Sequence, residues 1–508
     1  MNGLLAWLME NTGRGILVLL GGLFFSAIFN LQAQKYPVKN PDFHFLTKFK
    51  PDTAPTFFSE GLSSPIVKPI NQYLMGWYDS EAYIDYGGHT SFKSFEEYRQ
   101  YVGPVNTIIT THNHLLTENR YKRLIKTLTP DQPPLQFIVR LSVKNDKRFI
   151  SAENEEDVRI LKKDIISVLQ NYGGSSEIIR GWLTIDEPEP HRISYEEFKS
   201  YNSAIRRAER DLGILHKPIL LTTRNMVKKY GADPNVDAIG YENYFFRDSY
   251  PHFEEKILNL PQMLDSIRAY FPNKMVYAIP QGFGHKCCGN ETEAFYKDNW
   301  NRVPSYAEYR YQIFASLMRG ATGFFPWAAR IAYHPNQDYH GQSGPNQEFW
   351  DFHLKSGDRD EFYKNEERQL FGNLKEVFEE LKEVSTWLIE GSFIDSLCST
   401  NQPRKDLRTL FLKRDKDFLL IAANEKNNTG RILESNAVRF FLDRNNGTFD
   451  GYSIREVSPH QYDQGAHFDS LIPHQSVQVH LKSEIRGFFH FDSFFEPGEV
   501  KIYLFSRG

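Results

Sequence analysis

The segment Gly181–Glu189, GWLTIDEPE, is the part of the sequence that decides the fold prediction. Residues 178–185 form a short apolar run that predicts a strand buried on both faces. Three carboxylates follow within four residues, and an amphipathic pattern then predicts a helix over Tyr195–Leu212. A buried strand, a polar turn and a helix in this order form the repeating unit of parallel α/β folds.

The same unit recurs along the chain on both sides of this segment. Eight alternations favour a closed (β/α)₈ TIM barrel over a doubly wound sheet, which usually needs fewer strands. The predicted strands are Gln72–Tyr78, Val105–Thr111, Leu135–Val143, Ile178–Ile185, Pro218–Thr223, Val236–Tyr241, Met275–Pro280 and Gly323–Trp327. The predicted helices are Phe95–Tyr101, Glu118–Leu128, Glu153–Tyr172, Tyr195–Leu212, Phe253–Tyr270, Tyr306–Arg319 and Glu366–Ile389.

Beyond residue 391 the pattern changes to short segments that alternate between polar and apolar residues. This alternation between turn-rich spacers is typical of antiparallel strands. We therefore predict a TIM-barrel domain over residues 71–391, followed by an antiparallel β-sandwich over residues 392–508. The predicted sandwich strands are Leu407–Lys413, Phe418–Ala423, Ala437–Leu442, Val477–Leu481 and Val500–Phe505.

The N-terminal region resembles a secretory signal peptide. An apolar stretch over residues 15–29 follows Arg14, and small and polar residues surround Ala33. We predict a signal peptide over residues 1–33, a Pro-rich lead-in over residues 34–70, and export to the periplasm or the cell exterior. The alternative is an uncleaved anchor, because the apolar stretch is only just short of spanning a bilayer. With cleavage, no stable membrane insertion is expected.

Composition narrows the choice of partner. A net charge of -4 provides no basic surface for a phosphate backbone, which argues against nucleic acid. The 27 Tyr and 7 Trp residues are mostly expected in the core, but they also suit a site that stacks on flat apolar ligand faces. Three cysteines in 508 residues do not form a disulfide framework.

Polar side chains follow all eight predicted strands, at the end of the barrel where TIM-barrel sites lie. A hydroxyl-rich ligand needs many converging donors and acceptors beside an aromatic surface, so we expect a carbohydrate partner and no cofactor. The candidate binding residues are Asp79, His112, His114, Arg140, Glu189, Asn225, Tyr244, Gln281, Trp327 and Arg330.

The adjacent carboxylates Asp186 and Glu187 are the first catalytic candidates. Side chains alternate between the two faces of a strand, so the pair can occupy different environments. One carboxyl kept protonated by poor solvation could act as a general acid while its neighbour stays charged. The structural alternative is a solvated cap for the helix that begins near Tyr195.

A family resemblance supports the catalytic interpretation. The Glu-Pro pair at residues 187–188 resembles the Asn-Glu-Pro motif of retaining glycoside hydrolases with (β/α)₈ barrels, and the likeness covers residues 70–390. The resemblance implies that Glu187 is the acid/base, with Asp186 in place of the Asn. Further segments similar to this superfamily are Tyr277–Phe283, Pro304–Arg310 and Gly320–Phe325.

The seventh strand departs from the family pattern. Those enzymes place a nucleophilic Glu there, whereas this chain has Gln281, an amide that cannot form a glycosyl ester. Three interpretations stay open. Glu242, after the sixth strand, could be the second carboxylate, and its separation from Glu187 would then decide between retention and inversion. Alternatively, Asp186 and Glu187 work as in substrate-assisted hexosaminidases, which they also resemble, or the barrel binds glycan without cleaving it.

Two histidine-containing patterns raise the possibility of a metal, which we do not expect. His112 and His114 match the spacing of the amidohydrolase metal pair, but that pair belongs on the first strand and needs further histidines after strands five and six. Contacts with sugar hydroxyls are the favoured role for both residues. The segment His285–Cys288 could ligate a metal, but a vicinal disulfide or two inert thiols fit it equally well.

Overall fold

The computed structural model describes residues 72–78, 96, 99–100, 103–110, 135–141, 150–171, 178–244, 259–284, 304–331, 356–394, 398–400, 407–425, 438–443, 449, 451–457, 477–479, 482–485, 488–493, 495 and 498–507. All of them belong to one compact unit, residues 60–508. Within these ranges, no helix is both long and apolar enough to cross a membrane. The predicted signal peptide, the lead-in and the predicted helix over Glu118–Leu128 lie outside the described residues.

A closed parallel barrel forms the first part of the fold and confirms the predicted TIM barrel. Its strands are β1 (Leu74–Tyr78), β2 (Thr107–Thr110), β3 (Gln136–Arg140), β4 (Ile179–Leu183), β5 (Ile219–Thr223), β6 (Ala238–Asn243), β7 (Met275–Gly284), β8 (Gly323–Phe324) and β9 (Trp327–Ile331). Each strand from β2 to β8 pairs with the next, and β1 closes the barrel between β8 and β2.

The eighth strand position is divided in two. Both β8 and β9 pair in parallel with β1 and β7, so they are successive parts of one barrel strand. Pro326 lies between them and has no backbone N–H to donate to a neighbouring strand, which explains the interruption.

Helices surround the barrel: α1 (Glu155–Asn171), α2 (Tyr195–Asp211), α3 (Val227–Tyr230), α4 (Asn259–Tyr270), α5 (Tyr306–Leu317) and α6 (Ser356–Glu390). Helix α2 begins at a capping box in which Ser194 and Glu197 exchange side-chain and backbone hydrogen bonds. The helix therefore has its own cap, and the acidic run at residues 186–189 does not serve as one.

Alternation along the strands separates the two faces of the barrel wall. Leu183, Leu220 and Ile279 fill the interior, whereas Trp182 and Ile239 pack outward among the helices. Gly240 lies on the interior face, where an added Cβ would come 2.6 Å from Cδ1 of Ile279. A larger residue here would require the Ile279 side chain to shift.

Two antiparallel sheets follow the barrel, as predicted for the C-terminal region. Their strands are β10 (Ser392–Phe393), β11 (Cys398–Thr400), β12 (Leu407–Arg414), β13 (Asp417–Asn424), β14 (Val438–Asp443), β15 (Tyr452–Glu456), β16 (Val477–Val479), β17 (Lys482–Ile485), β18 (Phe488–Ser493) and β19 (Val500–Arg507). The first sheet has the order β10-β12-β13-β19-β15-β16, and the second has the order β11-β14-β18-β17. Aromatic rings fill the core shared by the sheets, as where Phe440 stacks on Phe491 with centroids 4.7 Å apart.

Buried ion pairs join the barrel to these sheets, and we call this set the seam. Arg319, which follows α5, donates to both carboxylate oxygens of Glu425 at 2.6 and 2.8 Å and to Asp265 at 2.7 Å. Arg310 on α5 donates to both oxygens of Glu380 on α6 and to the carbonyl of Val500 on β19. The seam thus fixes the sheets to the barrel helices. The predicted domain division after residue 391 remains a prediction.

Candidate active site

The carboxyl end of the barrel interior carries a ring of polar side chains. Strand alternation brings Tyr78, Thr222 and Glu242 to the inner face, above the apolar residues of the same strands. Asp186, three residues beyond the end of β4, joins them. This is the end of the barrel at which TIM-barrel sites lie.

Asp186 is held in place by two hydroxyl groups. Its Oδ1 accepts a hydrogen bond from the Thr222 hydroxyl at 2.6 Å and another from the Tyr78 hydroxyl. Thr222 is fully buried and Tyr78 almost so. Asp186 is therefore a fixed group inside the barrel, and its charge acts on the neighbouring carboxyls.

Glu187 points in a different direction, as the alternation of adjacent side chains predicts. Its φ of 38° lies in the left-handed region, although it is not a glycine and it precedes Pro188. Backbone conformations of this kind concentrate at functional sites. The turn sends the Glu187 carboxylate into an ion pair with Nε of Arg224, while 21% of the side chain stays exposed.

Glu242 is the buried member of the carboxyl set. Its side chain is only 3% exposed, and its Oε2 accepts a hydrogen bond from the Tyr244 hydroxyl at 2.8 Å. Burial raises the pKa of Glu242 well above its usual range, the charges of Asp186 and Glu187 raise it further, and Arg224 opposes the shift. A hydrogen bond with the Glu187 carboxyl adds to the rise. Burial among these neighbours therefore favours the protonated form of Glu242.

Arg224 connects the carboxyl pair to the aromatic side of the site. Its Nε contacts Glu187 and lies 3.7 Å from Oε2 of Glu242. Its guanidinium lies over the Tyr244 ring, 4.6 Å from the centroid. Tyr244 in turn stacks on Trp327 with centroids 5.0 Å apart and an interplanar angle of 26°. One cation, two carboxyls and two aromatic rings thus form a single contact set.

Several buried polar atoms at this end of the barrel make no hydrogen bond within the described part of the chain. They are Oε1 of Glu242, Nδ2 of Asn243 and Oε2 of Glu189. Buried polar atoms in native proteins are normally paired, and an unpaired one calls for a water or a ligand. An amide donor beside a carboxyl acceptor suits the hydroxyl groups of a bound molecule.

The predicted binding residue Glu189 serves mainly to hold a loop. Its Oε1 accepts from the Thr223 hydroxyl and from the backbone N–H of Met226 at 3.0 Å and Asn225 at 3.3 Å. These bonds tie the acidic run to the turn that leads into α3. The geometry therefore favours a structural role for this oxygen.

The other predicted binding residues divide into three groups. Arg140 ends β3 on the same face as Ile138, and Gln281 is fully buried in register with Trp327. Asn225 is exposed. Outside the described residues lie Asp79, His112, His114, the side chain of Arg330, and the Cys287–Cys288 pair.

Sequence reasoning did not select Tyr78, Thr222, Arg224 or Asn243. Leu220, Thr222 and Arg224 occupy every second position along β5 and its extension, so their side chains lie on the same, inner face. Alternation alone would therefore have favoured Arg224 over Asn225. Similarly, Tyr78 lies four residues after the interior residue Leu74 on β1, so both side chains lie on the inner face. No comparable signal marks Asn243. In the described part of the chain, no cluster of three metal-ligating side chains occurs.

Comparisons with known proteins give structural likenesses only. No family model matches the sequence, and no curated protein matches it either. A solved structure described as a glycoside hydrolase has a TM-score of 0.46 at 11% identity, covering 86% of this chain and 93% of that one. An enzyme of family GH39 from Xanthomonas axonopodis has a TM-score of 0.45 at 10% identity, with 86% and 94% covered. A GH30 endoxylanase from Clostridium papyrosolvens has a TM-score of 0.43 at 8% identity, with 85% and 96% covered.

These neighbours are glycoside hydrolases, the superfamily that the motifs of the sequence resemble. At identities of 8–11% and TM-scores below 0.5, the likenesses carry no conclusion about what this chain binds or catalyses.

Proposed function

We propose that this protein hydrolyses glycosidic bonds, with Glu187 as the general acid and Glu242 as the second carboxylate. The observation that carries the proposal is the grouping of two carboxyls with the Arg224 guanidinium at the carboxyl end of the barrel, where Nε of Arg224 contacts Glu187 and lies 3.7 Å from Glu242. Glycoside hydrolysis needs one carboxyl that gives a proton and one that acts ionised. Two neighbouring carboxyls with a single proton between them would supply both states.

The exposure of the two groups supports the assignment of roles. Glu187 is 21% exposed and Glu242 3% exposed, so Glu187 is better placed to reach the oxygen of a leaving group. In the proposed first step the shared proton moves to Glu187 and from there to the glycosidic oxygen. Glu242 is left as the carboxylate.

We expect retention of the anomeric configuration. An inverting enzyme separates its carboxyls by about 6.5–9.5 Å to hold a water molecule, whereas retaining pairs are about 5–5.5 Å apart. One nitrogen of Arg224 contacts Glu187 and lies 3.7 Å from Glu242, so the two carboxyls lie close together, which favours the retaining arrangement. The Glu242 carboxylate would attack the anomeric carbon while the bond to the leaving group breaks. Water, deprotonated by Glu187, would then cleave the ester and release Glu242.

Asp186 would tune this pair rather than hold a substrate acetamido group. Its Oδ1 already accepts two protein hydroxyls, and its charge raises the pKa of Glu242. That occupancy favours the two-carboxylate mechanism over the substrate-assisted one. The stacked rings of Tyr244 and Trp327 support binding of a sugar, with Arg140 and Gln281 nearby on the inner face.

Export remains part of the proposal, because the apolar stretch over residues 15–29 is followed by small residues near Ala33. N-terminal sequencing of the protein recovered from its native compartment tests this point. A mature chain beginning at or near Gln34 is the expected result, and an intact N-terminus would favour the anchor instead.

The decisive experiment combines substrates of different leaving-group ability with three variants. Glu187→Gln should slow cleavage of oligosaccharides by roughly 100- to 10,000-fold, the usual contribution of a general acid. It should slow aryl glycosides with acidic leaving groups much less, since these need no proton. Glu242→Gln should abolish both activities. Glu376→Gln is the control, because burial raises the pKa of Glu376 to about 7 on α6, away from the active site.

Two readouts separate the alternatives. NMR of the first anomer formed distinguishes retention from inversion. If the unmodified protein binds glycans but cleaves none of a broad panel, and Glu187→Gln keeps that affinity, the chain is a glycan-binding protein and the hydrolase proposal is wrong.

A further inference from the structure

We propose that the amino end of the barrel binds a small monovalent anion such as chloride, held between the guanidinium of Arg268 and the hydroxyl of Tyr73. The site lies at the opposite end of the barrel from the carboxyls of the active site. In TIM barrels that end serves stability rather than chemistry. The inference therefore goes beyond the proposed function and does not depend on it.

The fold brings these two groups together where three neighbouring barrel strands begin. Tyr73 directly precedes β1, and its side chain packs outward among the helices, on the same face of the wall as Trp77. Arg268 lies in the last turn of α4. Its guanidinium donates at 3.1 Å to the carbonyl of Lys274, which directly precedes β7, and also to the carbonyl of Gly320, just ahead of β8. Since β8 pairs with both β7 and β1, these segments lie side by side.

Arg268 is a half-buried cation without a counter-charge in the described part of the chain. Its two hydrogen bonds go to neutral backbone carbonyls, whereas the buried Arg206 pairs with Glu209 and the buried Arg310 pairs with Glu380. Burial lowers the pKa of Arg268 to about 10, because the charged form loses its solvation. A charge taken out of water costs free energy unless it is paired, so an anion at this position would stabilise the folded state.

Two buried donors here lack an acceptor among the described residues. Neither Nε of Arg268 nor the hydroxyl of Tyr73 makes a hydrogen bond, and Tyr73 is only 1% exposed. The two groups nevertheless interact. Burial raises the pKa of Tyr73 and the charge of Arg268 opposes that rise, while Tyr73 opposes the decrease in the pKa of Arg268. They are therefore close to each other without being bonded, an arrangement that suits one acceptor bridging both.

The chemistry of the donors selects the kind of ligand. One positive charge and two free donors match a ligand with one negative charge that only accepts hydrogen bonds. Phosphate and sulfate carry about two charges and have more oxygens than two donors can satisfy. A water molecule would accept both hydrogen bonds but would leave the charge of Arg268 uncompensated. A halide satisfies the donors and the charge together.

Unfolding in urea at increasing chloride concentration tests the proposal on the full chain. Sodium methanesulfonate, the salt of a larger monovalent anion, replaces sodium chloride so that ionic strength stays constant. A ligand that binds only the folded state stabilises it by mass action. Above the Kd of the site, each tenfold increase in chloride should therefore raise the folding equilibrium constant about tenfold. A stability that does not depend on chloride overturns the proposal.

Tyr73→Phe removes one donor of the site and keeps the packing of the ring. Without chloride the variant should be as stable as the unmodified protein, because the deleted hydroxyl makes no hydrogen bond within the described residues. Its apparent affinity for chloride should be weaker by about tenfold or more, the usual effect of losing a hydrogen bond to a charged group. A variant with the chloride dependence of the unmodified protein would show that Tyr73 does not hold the anion.

Tyr309→Phe is the matched control. Tyr309 on α5 is also fully buried and its hydroxyl also makes no hydrogen bond within the described residues, but burial and then the charge of Glu308, an acid, raise its pKa. This variant should keep the whole chloride dependence. An equal loss in Tyr73→Phe and Tyr309→Phe would mean that chloride acts on the fold in general, which contradicts a site at Arg268.

Crystals grown in sodium bromide locate the anion directly, since bromide gives an anomalous diffraction signal. The expected result is a peak between Nε of Arg268 and the hydroxyl of Tyr73 that is lost in Tyr73→Phe. Density for water alone, or for a carboxylate of the chain itself, at this position would refute the proposal. None of these measurements involves cleavage of a glycoside, so the anion site and the hydrolase assignment succeed or fail independently.

Discussion

The active site and the seam are both buried groups of charged side chains, but only the seam is complete. At the seam, Arg319 and Arg310 each make paired hydrogen bonds to one carboxylate, and each finds a further acceptor. At the active site, Glu242 keeps a buried acceptor and Asn243 a buried donor that make no hydrogen bond with the described residues.

The two sites also differ in their ratio of cations to carboxylates. The seam sets Arg310 against Glu380, and Arg319 with Arg408 against Glu425 and Asp265. Among the described residues of the active site, Arg224 is the cation in contact with Glu187 and near Glu242, and Asp186 adds a third carboxyl.

This difference shows how a buried charged group that stabilises the fold can be distinguished from one that serves function. A buried ion pair whose partners satisfy each other holds two parts of a fold in register. A buried carboxyl with one oxygen left unpaired weakens the fold until a proton or a ligand completes it, so its presence points to function. Four comparisons of variants test the distinction.

The largest effect on stability is expected at the seam. Arg319→Met leaves the buried carboxylate of Glu425 without its two strongest donors and should destabilise the protein by about 3–5 kcal/mol. Urea unfolding at neutral pH measures the loss. The matched control is Arg159→Met, whose ion pair with Glu156 lies on an exposed face of α1 and should have no measurable effect. Equal effects at both positions would contradict the role of the seam.

Glu242→Gln in the active site should stabilise the protein, whereas Arg319→Met at the seam should destabilise it. The pKa of Glu242 is higher in the folded than in the unfolded protein, so the folded state binds the proton more tightly. Its contribution is present at low pH and is lost as pH rises through the folded pKa. Glutamine mimics the protonated carboxyl at every pH, so the variant should be more stable at pH 8 by about 1–2 kcal/mol.

Unfolding curves from pH 4 to pH 8 measure this effect. The advantage of Glu242→Gln should decrease toward pH 4, where the unmodified carboxyl is protonated in both states. A variant that is less stable than the unmodified protein at pH 8 would show that Glu242 is a structural group like Glu380.

Two capping boxes, one near the active site and one near the seam, allow the two regions to be compared through smaller changes in stability. Ser194 caps α2, directly after the loop that carries the acidic run, and Ser305 caps α5, the helix that carries Arg310. Replacing either by Ala should cost about 1 kcal/mol. Only Ser194→Ala should also lower kcat, because its cap anchors the loop of Glu187. A loss of activity in both variants, measured under conditions where both are folded, would remove the distinction.

The smallest effect is expected from two asparagines at neighbouring strand ends. Asn243→Ala removes a buried amide nitrogen that has no hydrogen-bond partner among the described residues, and it should weaken substrate binding by about 0.5–1 kcal/mol, or about two- to fivefold. Asn225→Ala removes an exposed side chain. Its KM should stay unchanged. A larger effect at residue 225 than at residue 243 would restore the candidate that sequence reasoning preferred.

Much of the barrel could be predicted because parallel strands buried on both faces are continuous apolar runs. All eight strand positions fall within two residues of the predicted start, as for β5, predicted at 218 and observed at 219. The division of the last position into β8 and β9 was not foreseen, although Pro326 is its cause. In the C-terminal sheets, β10, β11, β15, β17 and β18 were missed, because strands of two to six residues with charged or edge positions lack a clear period.

The sequence predicted the catalytic residues of the candidate site, but it did not predict the contacts between them. Asp186, Glu187 and Glu242 were selected because they follow barrel strands, which is a property of sequence order and fold class. Arg224 was passed over in favour of Asn225, although parity along β5 would have separated them. Which carboxyl meets which, and where the proton resides, depends on distances across the barrel that no local pattern encodes.

The sequence by itself determined that Asp186 and Glu187 end a buried strand, because an apolar run followed by three carboxylates has few other meanings in a globular protein. Only the tertiary structure decided that Glu242 is paired with Glu187 and that Arg224 lies between charge and aromatic ring. The physical reason is that burial and electrostatic interaction are set by neighbours in space. Strands β4, β5 and β6 become neighbours only when the sheet forms.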